Sequence, residues 1–280
     1  MIALFLASPA VAAPQRIVSL DYCADQYVLA LADKEQIAAV SRDADSSRSN
    51  LPDAAVGLRR TSENVEEILL LKPDLVVRAW GGGLAIEPAL ARFHIPVATL
   101  GFVESIADVR RSVRDIGGVV GHPDRAAAIV ADMDRRLSDV AKRVALLPPA
   151  RRPVAVYVTP GGVTTGGGTL VDDVFAAAGL RNQIAERGQQ GWVRLDLEGM
   201  VMMPPEAVVA SFYDLRYIAT DTWRMGRHKA LMNLLAARPT VYVPTRKLAC
   251  STWYFVDAVE TIFKALVAPR LMTAEGRQTP

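Results

Sequence analysis

A single long helical stripe restricts the fold of this chain more than any other feature. Residues 123–147 contain no glycine, and apolar side chains recur there at alternating steps of four and three, at Ala126, Val130, Met133, Leu137, Val140, Val144 and Leu147. This spacing places the side chains on one face of an α-helix. At about 1.5 Å per residue such a helix is roughly 35–40 Å long. The stripe predicts a helix that crosses from one lobe to another, although a coiled-coil segment or a long crossover inside one domain gives the same pattern.

Strand and helix patterns alternate on both sides of this stripe. Short apolar runs predict strands at 16–20, 36–41, 74–79 and 95–100 before it, and at 154–159, 207–212 and 240–243 after it. Helical segments between consecutive strands are typical of parallel sheets with right-handed crossovers. The sequence therefore predicts an α/β protein with two parallel-sheet lobes joined by one long rigid helix and a ligand cleft between the lobes. The expected boundaries are 13–121 for the first lobe, 122–149 for the joining helix, 150–268 for the second lobe and 269–280 for a polar tail, with long loops at 42–62, 160–168 and 181–194.

The first residues of the chain predict export to the periplasm. Residues 1–12 are largely apolar and end in Ala10-Val11-Ala12, an A-x-A pattern typical of signal-peptide cleavage sites. A frayed hydrophobic N-terminus of a cytosolic protein is the alternative. Export permits a disulfide between the two cysteines, Cys23 and Cys250. Their separation in sequence does not determine whether they meet.

Charge and histidine content disfavour several classes of function. The chain has 32 Lys and Arg against 30 Asp and Glu, a net charge of +2, so composition gives no support to a nucleic-acid partner. The three histidines, His94, His122 and His228, stand in different local contexts, which disfavours a receptor for bare zinc or manganese. Neither G-x-S-x-G nor H-E-x-x-H occurs. We therefore expect no enzymatic activity and no resident metal or cofactor, and an α/β enzyme or cofactor-assembly protein with a two-lobed cofactor cleft stays as the alternative.

Aromatic and arginine side chains follow several of the predicted strands. The carboxyl ends of parallel strands border the ligand crevice of an α/β lobe. Flat rings and guanidinium groups suit a large ligand that has apolar faces and a polar or anionic rim. The alternative is that some of these rings fill lobe cores or cover helix ends. The predicted ligand-binding residues are Tyr22, Cys23, Arg78, Trp80, Trp192, Trp223, Arg224, Trp253 and Tyr254. The Gly-rich run 161–168 either presents backbone N–H groups to an anion or is a flexible connection.

Two segments resemble a known family. Residues 61–83, TSENVEEILLLKPDLVVRAWGGG, and residues 16–41 are similar to segments of the class III periplasmic binding proteins that serve iron-siderophore, haem and vitamin B12 importers. The resemblance covers nearly all of the chain after residue 12 and is strongest to the vitamin B12-binding type. It implies a monomer that binds a corrinoid or ferric chelate in an interlobe cleft and delivers it to an ABC importer permease, with only a small hinge motion.

The resemblance also implies roles for individual residues. Glu66 and Glu198 match the carboxylates with which each lobe of the family docks on arginines of the permease, and two exposed charges at a fixed separation would set orientation and association rate. Two ordinary solvated helix carboxylates are the alternative. Trp192 and Trp80 resemble tryptophans of the family that contact the corrinoid. Cys23 and Cys250 depart from the vitamin B12-binding pattern.

Overall fold

A computed structural model of the protein describes residues 13–79, 86–214 and 226–275, with side chains to residue 272. The predicted signal peptide and three predicted ligand-binding residues, Trp80, Trp223 and Arg224, lie outside these residues. In the part of the chain that is described, no helix is both long and apolar enough to cross a membrane.

The first lobe is a five-stranded parallel sheet with strand order β3-β2-β1-β4-β5. Its strands are nearly continuous apolar runs because helices cover both faces of the sheet, which is typical of parallel sheets. The elements are β1 (Ile17–Ser19), α1 (Tyr22–Leu31), β2 (Ile37–Ser41), β3 (Arg60–Thr61), α2 (Val65–Leu70), β4 (Leu75–Ala79), α3 (Ile86–Ala91), β5 (Val97–Leu100) and α4 (Ile106–Val119).

The second lobe is a four-stranded parallel sheet with strand order β11-β10-β6-β8. A two-stranded antiparallel ribbon, β7 with β9, lies beside it. The elements are β6 (Val154–Val158), β7 (Val163–Thr165), α6 (Leu170–Ala178), β8 (Arg181–Asn182), α7 (Gln183–Glu186), β9 (Trp192–Arg194), α8 (Leu197–Met202), β10 (Ala207–Ser211), α9 (Lys229–Ala237), β11 (Thr240–Val243) and α10 (Phe255–Ile262). The prediction of two parallel-sheet α/β lobes is confirmed.

The predicted joining helix is present between the lobes as α5 (Pro123–Val144). Proline stands at its first position, where the missing N–H costs no hydrogen bond. The apolar stripe is its buried face, and it packs on α4 of the first lobe and on α6 and α10 of the second. A Cβ on Gly117 of α4 would collide with Ala126, so glycine permits the close approach of α4 and α5. One hydrophobic cluster therefore runs from the first sheet along α5 into the second lobe.

Three predicted loops and the tail contain more regular structure than the sequence indicated. The loop 42–62 includes the short strand β3, and the loops 160–168 and 181–194 contribute the antiparallel ribbon. The predicted tail from residue 269 continues α10, through a π-helical segment (Phe263–Val267), as α11 (Ala268–Glu275). Glycine in the run 161–168 has a packing role, because a Cβ on Gly166 would collide with the carbonyl group of Gln189.

Candidate functional site

The two lobes face each other across a cleft formed by two adjoining cavities of about 70 and 240 Å³. We call them together the interlobe cleft. The first lobe contributes the end of β5 and the segment before α4. The second lobe contributes the start of α6, strand β9 and the segments after β10 and β11. The lining residues include Phe102, Val103 and Glu104 from the first lobe and Tyr157, Leu170, Trp192, Phe212 and Ala249 from the second.

A disulfide joins the lobes in the smaller cavity. Cys23 lies in the first turn of α1, and Cys250 lies in the second lobe between β11 and α10. Their Cα atoms are 5.1 Å apart, and both residues line the cavity. Asp21 places this turn at the carboxyl end of the sheet, since its carboxylate accepts hydrogen bonds from the N–H of Cys23 at 3.0 Å and of Ala79 at 2.6 Å. The predicted site residue Cys23 is thus in the cleft, as half of a covalent link.

Two hydrogen bonds also connect the lobes close to the cleft. The side-chain amide of Asn50 donates to the carbonyl of Arg246 at 2.7 Å. The backbone N–H of Ile106, at the start of α4, donates to the carboxylate of Asp173 at 2.9 Å. The lobes are therefore held by α5, by the disulfide and by polar contacts at the edge of the cleft.

Trp192 is the predicted site residue with the clearest place in the cleft. It lies on β9, is 51% exposed and contacts Tyr157 edge-on with a centroid separation of 6.1 Å. Phe102, which follows β5 in the other lobe, is 52% exposed and lines the same cavity. Phe212 lines it directly after β10 with a φ of +69°, an unusual backbone conformation for a residue other than glycine. Large apolar rings exposed on two facing lobes are typical of ligand contacts.

The sequence analysis missed Phe102, Tyr157, Glu104 and Phe212 as lining residues. Phe102 is the second residue after β5 and Phe212 the first after β10, so the rule that located the other candidates would have found them too. Tyr157 lies within β6 and is fully buried, and burial raises the pKa of its hydroxyl. No pattern in the sequence distinguishes such a residue from an ordinary core tyrosine.

Trp253 and Tyr254 pack between the lobes beside the disulfide. The ring of Trp253 meets the ring of the buried Tyr27 edge-on at 5.3 Å and lies tilted against Tyr254 at 5.1 Å. The ammonium group of Lys247 is 5.0 Å from the Tyr254 ring centroid. Burial raises the pKa of Tyr254 to about 12. Neither residue lines the described cavities, so their predicted ligand contact stays untested and their packing favours a structural role.

Tyr22 and Arg78 lie at the carboxyl edge of the first sheet but not in the lining of the two cavities. The Arg48 guanidinium stacks on the Tyr22 ring at 4.3 Å, and burial raises the pKa of Tyr22. Arg78 is 1% exposed, and its guanidinium is 3.6 Å from the Glu87 carboxylate. Side chains alternate along β4, so Arg78 lies on the opposite sheet face from Ala79, which does line the cleft. This placement argues against the predicted ligand contact of Arg78.

The two predicted docking carboxylates lie on short helices with similar surroundings. Glu66 and Glu198 are both exposed in the first turns of α2 and α8. Each of these helices is followed by a strand of its own parallel sheet, β4 or β10. Each helix also exposes a large apolar side chain, Leu70 at 77% and Met202 at 80%. An exposed carboxylate beside an exposed apolar side chain is consistent with a protein-binding surface on each lobe.

Metal binding finds no support in the part of the chain that the structure describes. No group of three or more His, Cys, Asp and Glu side chains there is placed to hold an ion. His228 caps α9, accepting a hydrogen bond from the N–H of Ala230 at 3.2 Å, and His122 contacts Gln36 at 2.8 Å. These two histidines thus have local structural partners.

Comparison with known proteins decides the family. A model of the periplasmic binding protein family matches residues 17–221. This chain belongs to the periplasmic binding protein family. A vitamin B12-binding protein of Pectobacterium atrosepticum is 27% identical over 216 residues, which cover 74% of this chain and 75% of the relative. Membership favours a binding protein over the enzyme alternative.

Solved structures share the fold. The periplasmic vitamin B12-binding protein of Vibrio cholerae superimposes with a TM-score of 0.65 at 22% identity, over 92% of this chain and 98% of that one. A periplasmic haem-binding protein of Pseudomonas aeruginosa gives a TM-score of 0.69 at 22% identity, over 91% of this chain and 93% of that one. The resemblance inferred from residues 16–41 and 61–83 is confirmed.

Proposed function

We propose that this protein is the exported substrate-binding component of an ABC importer and that it binds a corrinoid or a ferric chelate such as haem in the interlobe cleft. The observation that carries the proposal is the pair of exposed rings, Phe102 and Trp192, on opposite lobes of one cavity. Relatives that bind vitamin B12, and structures of the same fold that bind vitamin B12 or haem, support a ligand of this size and shape. The disulfide fits an oxidising compartment, as export requires.

The two described cavities together reach only the lower end of the 300–1,000 Å³ range that is common for drug-sized ligands. A corrinoid or haem therefore requires a small opening of the lobes or a ligand that projects from the cleft. Opening about α5 and the disulfide is a hinge motion of the kind that ligand binding biases.

Ligand titration tests the proposal. We expect cyanocobalamin or haemin to change the tryptophan fluorescence of the purified protein and to bind with a dissociation constant well below about 100 μM. Trp192→Ala should weaken this binding about tenfold, because it removes a half-exposed ring from the cavity, and it should leave the free energy of unfolding nearly unchanged. If neither compound nor a ferric hydroxamate binds below that concentration, the assignment is wrong.

We further propose that Glu66 and Glu198 dock the protein on the arginines of a permease, with Leu70 and Met202 at the edges of the contact. The double variant Glu66→Ala/Glu198→Ala should keep full ligand affinity and lose stimulation of transport in permease proteoliposomes. Glu35→Ala is the matched control, since Glu35 is exposed in the same lobe but lies before β2, at the amino edge of the sheet. Equal transport by the docking variant and the control would rule out this docking surface.

A further inference from the structure

One carboxylate stands among the apolar rings of the interlobe cleft. Glu104 lies between β5 and α4, is exposed and lines the larger cavity together with Trp192 and Tyr157. It is the one charged side chain in the described lining of the two cavities. Within the described parts of the chain, its carboxylate forms no ion pair.

The charges around Glu104 do not offset it. Asp108 lies in the first turn of α4, and Asp173 of the second lobe accepts a hydrogen bond from the N–H of Ile106 in that turn. The hydrogen bond from Ser105 lowers the pKa of Asp108, which keeps that carboxyl ionised at neutral pH. Arg111 pairs with Asp108 at 2.6 Å, leaving Glu104 and Asp173 as additional negative charge at this edge of the cleft.

Two described cations beside the cleft-lining segments are already engaged. Arg48, which stacks on Tyr22, is paired with Asp43 at 2.7 Å. Lys247, which precedes the cleft-lining residues after β11, is paired with Asp257. Glu104 is thus the charged side chain that the described lining of the two cavities presents to a ligand.

We propose that Glu104 is a specificity-determining residue, which makes the cleft favour ligands with uncharged, amide-bearing rims over ligands whose rims carry carboxylates. The inference rests on the proposed function. A carboxylate on the wall of a cleft repels an anionic ligand rim that is placed against it. The same oxygens accept hydrogen bonds from primary amides. A corrinoid carries amides around its ring, whereas haem carries two propionates, so Glu104 separates these two classes.

Charge reversal at this position tests the inference. We would measure the affinities of the wild type, Glu104→Gln and Glu104→Lys for cyanocobalamin and for haemin by calorimetry, at low and at physiological salt. The ratio of haemin affinity to cyanocobalamin affinity should rise about threefold in Glu104→Gln and about tenfold or more in Glu104→Lys, and higher salt should reduce both changes. Because Glu104 is exposed, both variants should unfold at the wild-type denaturant concentration.

Glu35→Lys is the control for charge. It makes the same change in net charge on the same lobe, at the sheet edge opposite the cleft, and its affinity ratio should stay within about twofold of wild type. The inference would be overturned if the ratio of haemin affinity to cyanocobalamin affinity stayed unchanged in Glu104→Lys. It would also be overturned if Glu35→Lys changed this ratio by the same factor, and neither result would affect the proposed function. If the native protein binds neither compound, the inference fails, and the proposed function fails with it when a ferric hydroxamate does not bind either.

Discussion

Removing the disulfide between Cys23 and Cys250 should destabilise the protein strongly. The bond links the first turn of α1 to the segment between β11 and α10, near the two ends of the chain. In the unfolded state it would close a loop across a sequence separation of 227 residues. The perturbation is the double variant Cys23→Ser/Cys250→Ser, which removes the bond without leaving a free thiol.

The magnitude follows from the length of that loop. The chain-entropy relation gives a stabilisation of about 5 kcal/mol for a loop of this length. Residual structure in the unfolded chain and relaxation of the native state usually reduce such values, so we expect a loss of about 2–5 kcal/mol. Because α5 and its hydrophobic cluster also join the lobes, the variant should remain folded at room temperature.

Denaturant unfolding measures this loss. Guanidinium titration followed by both tryptophan fluorescence and far-UV circular dichroism would give the free energy of unfolding of the variant and of the wild type, with and without reductant. The reduced wild type should match the double variant, and thiol counting in denaturant should find no free thiol before reduction and two after it. A difference below about 0.5 kcal/mol between variant and oxidised wild type would refute the reasoning.

One substitution in each lobe gives a further test of stability. Asp25 is fully buried, and burial raises its pKa to about 6 even though Ser41 donates two hydrogen bonds to it. The pKa of Asp25 is higher in the folded protein than in the unfolded chain. Its contribution to the free energy of unfolding is therefore fully present below about pH 4 and is lost as the pH rises through about 6. Asp25→Asn should remove this decline. In urea unfolding, the free energy of unfolding of the variant should rise relative to wild type by up to about 3 kcal/mol between pH 4 and 7. Parallel pH profiles of the two proteins would contradict the assignment. Gly179 ends α6 with a φ of +82°, and a Cβ there would lie 3.0 Å from Val144 of α5. Gly179→Ala should therefore cost about 1–2 kcal/mol in the same assay, while Gly118→Ala, on an open face of α4, should be neutral or stabilising by up to about 1 kcal/mol; equal effects would contradict this account.

The overall architecture could be predicted because its signals are periodic. All seven predicted strands are present within two residues of the expected ends, since each is an apolar run of a buried parallel sheet. The joining helix was predicted from its stripe and ends at Val144. The ribbon of β7 and β9 could not be predicted, because each of its strands has three residues, too few to show a period-two pattern.

The candidate site was predicted less completely than the fold. A residue that follows a parallel strand lies at the carboxyl edge of the sheet, which borders the cleft. Sequence alone does not show which face of the sheet its side chain occupies. Arg78 is buried on the opposite sheet face from its neighbour Ala79, which lines the cleft, whereas Trp192 reaches the cleft from the antiparallel ribbon. The disulfide and the packing of Trp253 on Tyr27 depend on how the lobes meet, which no local pattern encodes.

Hydrogen–deuterium exchange with bound ligand tests the central claim most directly. A ligand held between the lobes must slow exchange on both of them at once. With cyanocobalamin or haemin bound, peptides covering residues 101–105 of the first lobe and 189–194 of the second should both exchange more slowly than in the free protein. Protection confined to one lobe, or protection of neither segment when a ligand is bound, would contradict a binding site in the interlobe cleft.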